Sequence, residues 1–310
     1  MSSRKVFWTE KATIRRWSDV IKLEKKFFPR RRVRNVHKRW IFRGEKADQY
    51  LKTKLQEKLE VNGIRAKKEK TDEERKLIRK FQRKSALYLE HEPDQDDVLE
   101  WLAVMRHRGA PTRLLDCTYS FYIAVYFALN ENKKRTVWAL DCSKINKPEP
   151  IVQKICGHVD GFRKFSQALL HYMRKSDFLG IQQEGDKLID LAIATYLMEA
   201  EPPLPCVYPV NPFRLNRRLS VQQGLFLMPG DITKSFAQNL EATFKDFGGT
   251  EKHLQRVKIE PQTKGDRNEI LRKLKNMNIS NEALFPGLDG FARSVAESLA
   301  YPRPLGDREI

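Results

Sequence analysis

The hydrophobic positions of this chain follow two spacings, one typical of helices and one of short buried strands. Apolar residues at intervals of three and four predict helices over residues 48–59, 74–89, 98–105, 162–173, 187–198, 267–277 and 291–299. Runs of β-branched and aromatic residues predict strands over residues 40–42, 136–141, 219–228 and 257–260. Helices and strands mixed along the chain indicate an α/β or α+β fold.

Residues 106–130 combine a polar loop and an apolar helix without a linker between them. Gly109 and Pro111 exclude a regular helix from the first half. This half also carries five side chains that ionise or form hydrogen bonds: His107, Arg108, Thr112, Arg113 and Asp116. Such a concentration predicts a binding site. The alternative is a scaffold role, in which Arg113 and Asp116 form a local ion pair and Pro111 shapes a turn.

The second half of this stretch is apolar on almost every side, with Ser120 as the preferred N-cap of a helix. Because a helix of that composition is stable only inside a protein, we expect it to be buried. The polar loop would then be held rigidly against the core.

The chain has 59 Lys and Arg against 40 Asp and Glu, a formal net charge of +19. This excess predicts attraction to polyanions such as nucleic acid, with a merely soluble, lysine-rich surface as the alternative. The four cysteines and six histidines show no metal-ligand spacing, so no metal site is expected. The N-terminal sequence does not resemble a signal peptide, and no apolar run has transmembrane length, so a cytoplasmic protein is expected.

Basic residues are densest before residue 40. Residues 22–39 contain nine Lys or Arg and one acid, with Phe27 and Phe28 among them. Cations interleaved with aromatic rings can bind phosphates and stack on bases, although a tail folded over the core is the alternative. We therefore predict a basic N-terminal extension over residues 1–39 and one domain over residues 40–310.

Residues 106–129 resemble the second signature of the FRG-domain family, which reads roughly Gln-His-x-Gly-x-Pro-Thr-Arg-Leu-Leu-Asp-Trp-Thr before an alanine-rich helix. The Phe-Arg-Gly tripeptide that names the family stands upstream at residues 42–44. Two further segments are similar, at residues 218–226 and 284–290, so the resemblance extends from about residue 40 to about residue 295. Cys117 replaces the usual Trp, and Arg106 replaces the usual Gln.

The order of these segments is similar to that of the ADP-ribosyltransferase superfamily, whose members use NAD as a substrate. The resemblance implies an α+β fold with a split core of two small, mostly antiparallel sheets surrounded by helices. It also implies that one group of residues binds NAD: Arg43, Gly44, Thr112, Arg113, Tyr122 (or Tyr126) and Gln222. His107, Asp116 and Gln223 would be the catalytic residues. In that superfamily the third strand carries a catalytic Glu or a substitute for it. No Glu occupies the corresponding strand here, so Asp116 or Glu241 would supply the negative charge.

The expected function is an NAD-dependent ADP-ribosyltransferase that modifies nucleic acid, with RNA preferred over single-stranded DNA. Enzymes of this kind often act as bacterial toxins or anti-phage effectors, and an antitoxin or other inhibitor protein is then a partner. Protein-directed transfer and NAD glycohydrolase activity are alternatives. A third alternative is a non-catalytic nucleic-acid-binding module, which the absence of the Glu favours.

Overall fold

The computed structural model describes residues 8–29, 39–46, 51–129, 135–178, 185–212 and 217–298. Two predicted features fall partly or wholly outside these ranges. They are the arginines at positions 30–32 and 34, within the predicted basic extension, and the start of the helix predicted over residues 48–59.

Seven strands occur in the described residues: β1 (Thr9–Ile14), β2 (Trp40–Lys46), β3 (Leu115–Thr118), β4 (Arg135–Asp141), β5 (Val207–Val210), β6 (Gly224–Pro229) and β7 (Leu254–Ile259). They form one sheet in the order β1-β7-β4-β2-β3-β6-β5. Only the β1–β7 pair is parallel among these described strands. The predicted α+β class is confirmed, whereas the division into two separate sheets is not.

The helices before β5 are α1 (Trp17–Phe27), α2 (Lys54–Val61), α3 (Lys67–Ser85), α4 (Val98–His107), α5 (Phe121–Leu129), α6 (Glu149–Cys156), α7 (Gly161–Phe178) and α8 (Gly185–Glu199). The later helices are α9 (Arg217–Val221), α10 (Phe236–Phe244), α11 (Lys264–Asn276), α12 (Asn281–Leu284) and α13 (Leu288–Ser298). None of these helices, within the described ranges, has the length and apolar character needed to cross a bilayer.

The sheet is weakly joined at its centre. β2 pairs with β4 over seven residues, but it pairs with β3 only between Phe42 and Thr118. One residue further along β2, the guanidinium of Arg43 donates to the backbone carbonyl of Asp116 at 2.7 Å. A side chain therefore takes the place of the backbone ladder between the two parts of the sheet.

Helix α5 is buried, as its composition predicts, and it lies directly on β2. Ser120 accepts a hydrogen bond from the Ile123 amide, which confirms the predicted N-cap. A Cβ on Gly44 would stand 2.2 Å from the carbonyl oxygen of Ala124 on α5. The glycine of the Phe-Arg-Gly tripeptide is therefore required for helix–strand packing.

The N-terminal residues contribute to the same core. β1 extends the sheet beside β7, and Val20, Leu23 and Phe27 of α1 pack with α5 and α11. The boundary predicted at residue 39 stays a prediction, but residues 9–27 are integrated into the sheet and its helical layer.

The strand predicted over residues 219–228 is wrong in its first half. Residues 217–221 form α9, and the strand begins only at Gly224. The amides of Gln222 and Gln223 bond back to the carbonyls of Arg218 and Ser220, which continues the helical turn. Gln223 then adopts a left-handed φ of 46°, which ends the turn and starts β6.

A Gly44→Ala substitution should destabilise the protein by about 1–3 kcal/mol, because α5 must move to accommodate the methyl group. Urea unfolding followed by circular dichroism measures the change. Gly265→Ala is the matched control, since its Cβ would meet no atom closer than 3.4 Å and the position lies in the first turn of α11. Equal stability of Gly44→Ala and the parent would contradict the close approach.

Candidate functional site

A cleft of about 300 Å³ opens beside the β2–β3 junction. This volume lies at the lower end of the range for small-molecule sites. Its walls come from β2, α4, β3, α5, α9 with the turn after it, β6 and the residue that follows α12. The lining residues are Arg43, Gly44, Arg106, His107, Asp116, Phe127, Arg218, Leu219, Gln222, Phe226 and Phe285.

Arg43 lines the cleft and makes two hydrogen bonds to neighbouring strand residues. One guanidinium nitrogen donates to the Asp116 carbonyl at 2.7 Å, and the other donates to Glu45 at 3.2 Å. Its Nε is buried and makes no hydrogen bond with the described residues. Burial alone would lower the pKa of Arg43, but Glu45 and Asp116 outweigh it and raise the pKa, so this cation is permanent.

Asp116 is the only carboxylate among the residues that line the cleft in the described structure. Both Nε and Nη2 of Arg106 donate to its Oδ2, the former at 2.8 Å, and Arg43 lies 3.7 Å from the same oxygen. Burial favours the protonated acid, yet Arg106, Arg43 and Arg218 together lower the pKa of Asp116. The Asp116 side chain is 42% exposed and lines the cleft. Its negative charge is already neutralised by the ion pair with Arg106.

Arg218 completes the charged wall from the first turn of α9. Its guanidinium lies 4.5 Å from the centre of the Phe285 ring, a cation–π contact. No carboxylate of the described residues comes within 4.0 Å of this guanidinium. Burial, together with Arg106 and Arg293, lowers the pKa of Arg218, while Asp116 partly offsets the effect.

His107 is the last residue of α4 and is half-buried at the edge of the cleft. Burial and the neighbouring Arg218 and Arg108 lower the pKa of its imidazole. A neutral imidazole at pH 7 can accept a proton, so the residue is suited to act as a general base.

Three guanidinium groups and one carboxylate leave the cleft with an excess of positive charge. Arginine binds phosphate through planar, charge-assisted hydrogen bonds. The arrangement is therefore suited to a phosphate-bearing ligand with an aromatic part, for which Phe127 and Phe285 offer rings.

The sequence model of the FRG domain matches residues 38–136. The match supports the resemblance of this chain to the FRG-domain family. It covers β2, the polar loop, β3 and α5, whereas Arg218, Gln222 and Phe285 lie outside the matched residues. Searches of curated proteins and of solved structures each found no significant match.

Two residues predicted in the FRG signature to bind NAD lie away from the cleft. Arg113 is 3% exposed and makes a two-point ion pair with Glu74 of α3, with Nε to Oε1 at 2.8 Å. It also donates to the Leu197 carbonyl at 3.1 Å. Thr112 is buried, and its carbonyl accepts from the Leu55 amide. The local Arg113–Asp116 ion pair considered from sequence is also not formed, because each residue has a different partner.

The remaining predicted residues are divided between the cleft and other surfaces. Gln222 lines the cleft and donates from Nε2 to the Leu284 carbonyl at 2.8 Å, whereas Gln223 is exposed outside it. Tyr122 stacks on Trp17 of α1 at 6.1 Å. Tyr126 donates to Glu297, which lies on α13.

Glu241, considered as a substitute for the missing Glu, lies on α10 and does not line the cleft. Cys117 is buried, and burial raises its pKa to about 12, so its thiol is unreactive at neutral pH. Within the described ranges, no three His, Cys, Asp or Glu side chains are close enough to hold a metal ion.

Sequence reasoning missed the cleft roles of Arg106, Arg218 and Phe285. From the sequence, Arg106 is a departure from the family pattern that adds charge at the mouth of the loop, and Arg218 and Phe285 stand in the two similar segments without a role. These three residues lie together around Asp116 and Arg43 only in the folded protein. The sequence does not show this proximity, because Arg106, Arg218 and Phe285 are far apart along the chain.

Glu74→Gln should destabilise the fold by about 3–5 kcal/mol, because Arg113 would remain buried as an unpaired charge. Urea unfolding measures the change. Glu73→Gln removes a carboxylate from the same helix and breaks only a surface pair with Lys76, so it should change stability by no more than about 0.5 kcal/mol. Equal effects of the two substitutions would show that the buried ion pair is not formed.

The pKa of His107, measured by NMR titration of the ring protons, should lie below the ordinary value of about 6.5. The folded protein favours the neutral ring, so His107 contributes to the free energy of unfolding. This contribution is fully present above about pH 6.5 and is lost as the pH falls through the pKa of the folded protein. Arg218→Gln should raise the His107 pKa, whereas Arg217→Gln, an exposed neighbour outside the cleft, should not. A His107 pKa at or above 6.5 in the parent would contradict this electrostatic account.

Proposed function

We propose that the chain is an NAD-dependent ADP-ribosyltransferase whose acceptor is nucleic acid. The observation that carries the proposal is the placement of Arg43, Arg106 and Arg218 around one cleft beside the β2–β3 junction. The family resemblance adds the expectation that the anionic ligand is NAD.

The lining residues fit the charge and the aromatic character of such a dinucleotide. Arg218 has no close carboxylate partner among the described residues, so it is the cation most available to a diphosphate. Phe127 and Phe285 supply apolar surface for a base or for nicotinamide. Phe127 is itself in edge contact with Phe285, with centroids 6.0 Å apart, which keeps the two rings together.

In the proposed reaction, NAD supplies an activated glycosidic bond. That bond breaks, its electron pair leaves with nicotinamide, and the acceptor's nitrogen or oxygen bonds to the anomeric carbon. The neutral imidazole of His107 takes the proton that the acceptor loses. Asp116 presents negative charge to the cleft, although Arg106 reduces its effect. Gln222, which lines the cleft, takes the orienting role predicted for Gln223.

The net charge of +19 supports nucleic acid as the acceptor. Among nucleic acids, we propose RNA ahead of single-stranded DNA. We place the activity in the cytoplasm, in the context of a toxin or phage-defence effector restrained by an inhibitor protein. The toxin or phage-defence setting and its inhibitor rest on the family resemblance alone, whereas the cytoplasm is proposed because the sequence has no recognisable signal peptide and no apolar run of transmembrane length.

A non-catalytic nucleotide- or nucleic-acid-binding module is the second candidate. Two observations favour it: Asp116 is already neutralised by Arg106, and no other carboxylate lines the cleft in the described residues. This candidate predicts binding without NAD turnover.

Incubation of the protein with radiolabelled NAD and, separately, RNA, single-stranded DNA or a cell-protein extract distinguishes these functions. Label that nuclease removes supports the proposal. Label that only protease removes would show a protein acceptor, and free ADP-ribose alone would show a glycohydrolase. No consumption of NAD in any sample would contradict an NAD-dependent enzyme.

Arg218→Gln should weaken NAD binding by about 10- to 100-fold, since a hydrogen bond to a charged group contributes about 1.5–3 kcal/mol. Isothermal titration calorimetry measures the affinity. Arg217→Gln loses the same charge from an exposed position outside the cleft and should bind like the parent. Arg43 is a poorer choice for this test because it also joins β2 to β3. Equal affinities of the two variants would contradict the assignment of the NAD site.

A further inference from the structure

A second concave surface lies on the opposite side of the last turn of α4. This α3 groove has a volume of about 600 Å³ and lies between α3, the residues that follow it and the loop after α4. Leu77, Phe81, Leu89, Met105 and Pro111 form much of its wall, and no lining residue is acidic.

The groove has a cationic rim. Lys80, Lys84 and Arg108 line it, and residues 75–84 of α3 contain six Lys or Arg and no acid. Arg79, Lys80, Arg83 and Lys84 are exposed, and no carboxylate of the described residues forms an ion pair with them. The pairs 79/83 and 80/84 are like charges one helical turn apart, which destabilises a free helix. A bound polyanion would relieve this repulsion.

Aromatic side chains accompany these cations. Phe81 lines the groove and is fixed by an edge contact with Trp101 at 6.3 Å. Tyr88 lines it as well and is 81% exposed, so its ring is accessible to a ligand. Glu92 accepts a hydrogen bond from Ser85, which lines the groove, but Glu92 is not itself a lining residue. Cations beside accessible rings are the features that bind unpaired bases and their phosphates.

The groove and the cleft share one wall. Met105 and Arg108 line the groove, and the two residues between them, Arg106 and His107, line the cleft. Successive Cα atoms are about 3.8 Å apart, so a ligand in the groove lies within a few residues' length of His107.

We propose that the α3 groove is a binding site for single-stranded nucleic acid, with phosphates on Lys80, Lys84 and Arg108 and a base on Tyr88 or Phe81. The role of this strand as the acceptor rests on the proposed function, whereas its binding does not. The site differs from the basic N-terminal extension, to which the sequence assigned nucleic-acid binding.

Fluorescence anisotropy with a labelled single-stranded RNA of about 12 nucleotides, in the absence of NAD, tests the site. Lys80→Gln/Lys84→Gln should weaken binding and lower the slope of log affinity against log salt by up to about 1.4, or about 0.7 for each lost phosphate contact. Lys67→Gln/Lys68→Gln makes the same charge change at the other end of α3, outside the groove, and should have little effect. Equal losses in the two double variants would overturn the site in favour of diffuse attraction.

The aromatic contact is tested separately. Tyr88→Ala should weaken binding by about 5- to 100-fold, the range that stacking of a base on an aromatic side chain supplies. Leu87→Ala is the control, because this neighbour is 76% exposed and does not line the groove. Equal affinities of the two variants, or equal affinity of the parent for duplex RNA of the same sequence, would overturn recognition of unpaired bases. Binding only to anionic vesicles or to an acidic peptide would also overturn the proposal.

Failure of this inference and failure of the proposed function are distinguishable. RNA binding that depends on the groove, without NAD consumption, would support the groove and contradict the transferase. If the protein consumes NAD but the Lys80→Gln/Lys84→Gln variant binds RNA as well as the parent, the enzyme proposal is supported and the α3 groove is contradicted.

Discussion

The contact between Arg43 and the Asp116 carbonyl links the two parts of the sheet where the backbone ladder stops. β2 and β3 share a single residue pair at Phe42 and Thr118, so the arginine supplies the next bond between them. The same residue lines the cleft. The continuity of the sheet and the proposed binding site thus share one side chain, and a half-buried cation held by Glu45 and Asp116 keeps a fixed position.

The charge of the cleft follows from this geometry. Asp116 is shared between Arg106 and Arg43, which holds it as an anion, and Arg218 adds a cation that stacks on Phe285. An acid so well neutralised is a weak source of negative charge for catalysis, but the surplus cations attract an anionic ligand. The last turn of α4 then connects this cleft to the α3 groove, because neighbouring residues on one rigid helix face both surfaces.

Much of the local structure was predictable from residues 98–129. The start of α4 at Val98, the N-cap at Ser120 and the burial of α5 follow from hydrophobic spacing and capping, which are local properties. β3 was missed because its four residues were interpreted as part of the polar loop. Its strand conformation depends on pairing with β6, more than one hundred residues later in the chain.

The sequence by itself determined which residue types gather in the FRG signature, the excess of positive charge and the buried helix that anchors the loop. Only the tertiary structure decided which of the signature's polar residues reach the cleft. Arg113 and Asp116 are three residues apart, yet Arg113 pairs with Glu74 inside the protein while Asp116 faces the cleft with Arg106. A buried cation such as Arg113 is stable only with a carboxylate partner. That partner, Glu74, lies on α3, and the position of α3 beside Arg113 is determined only when the whole chain folds.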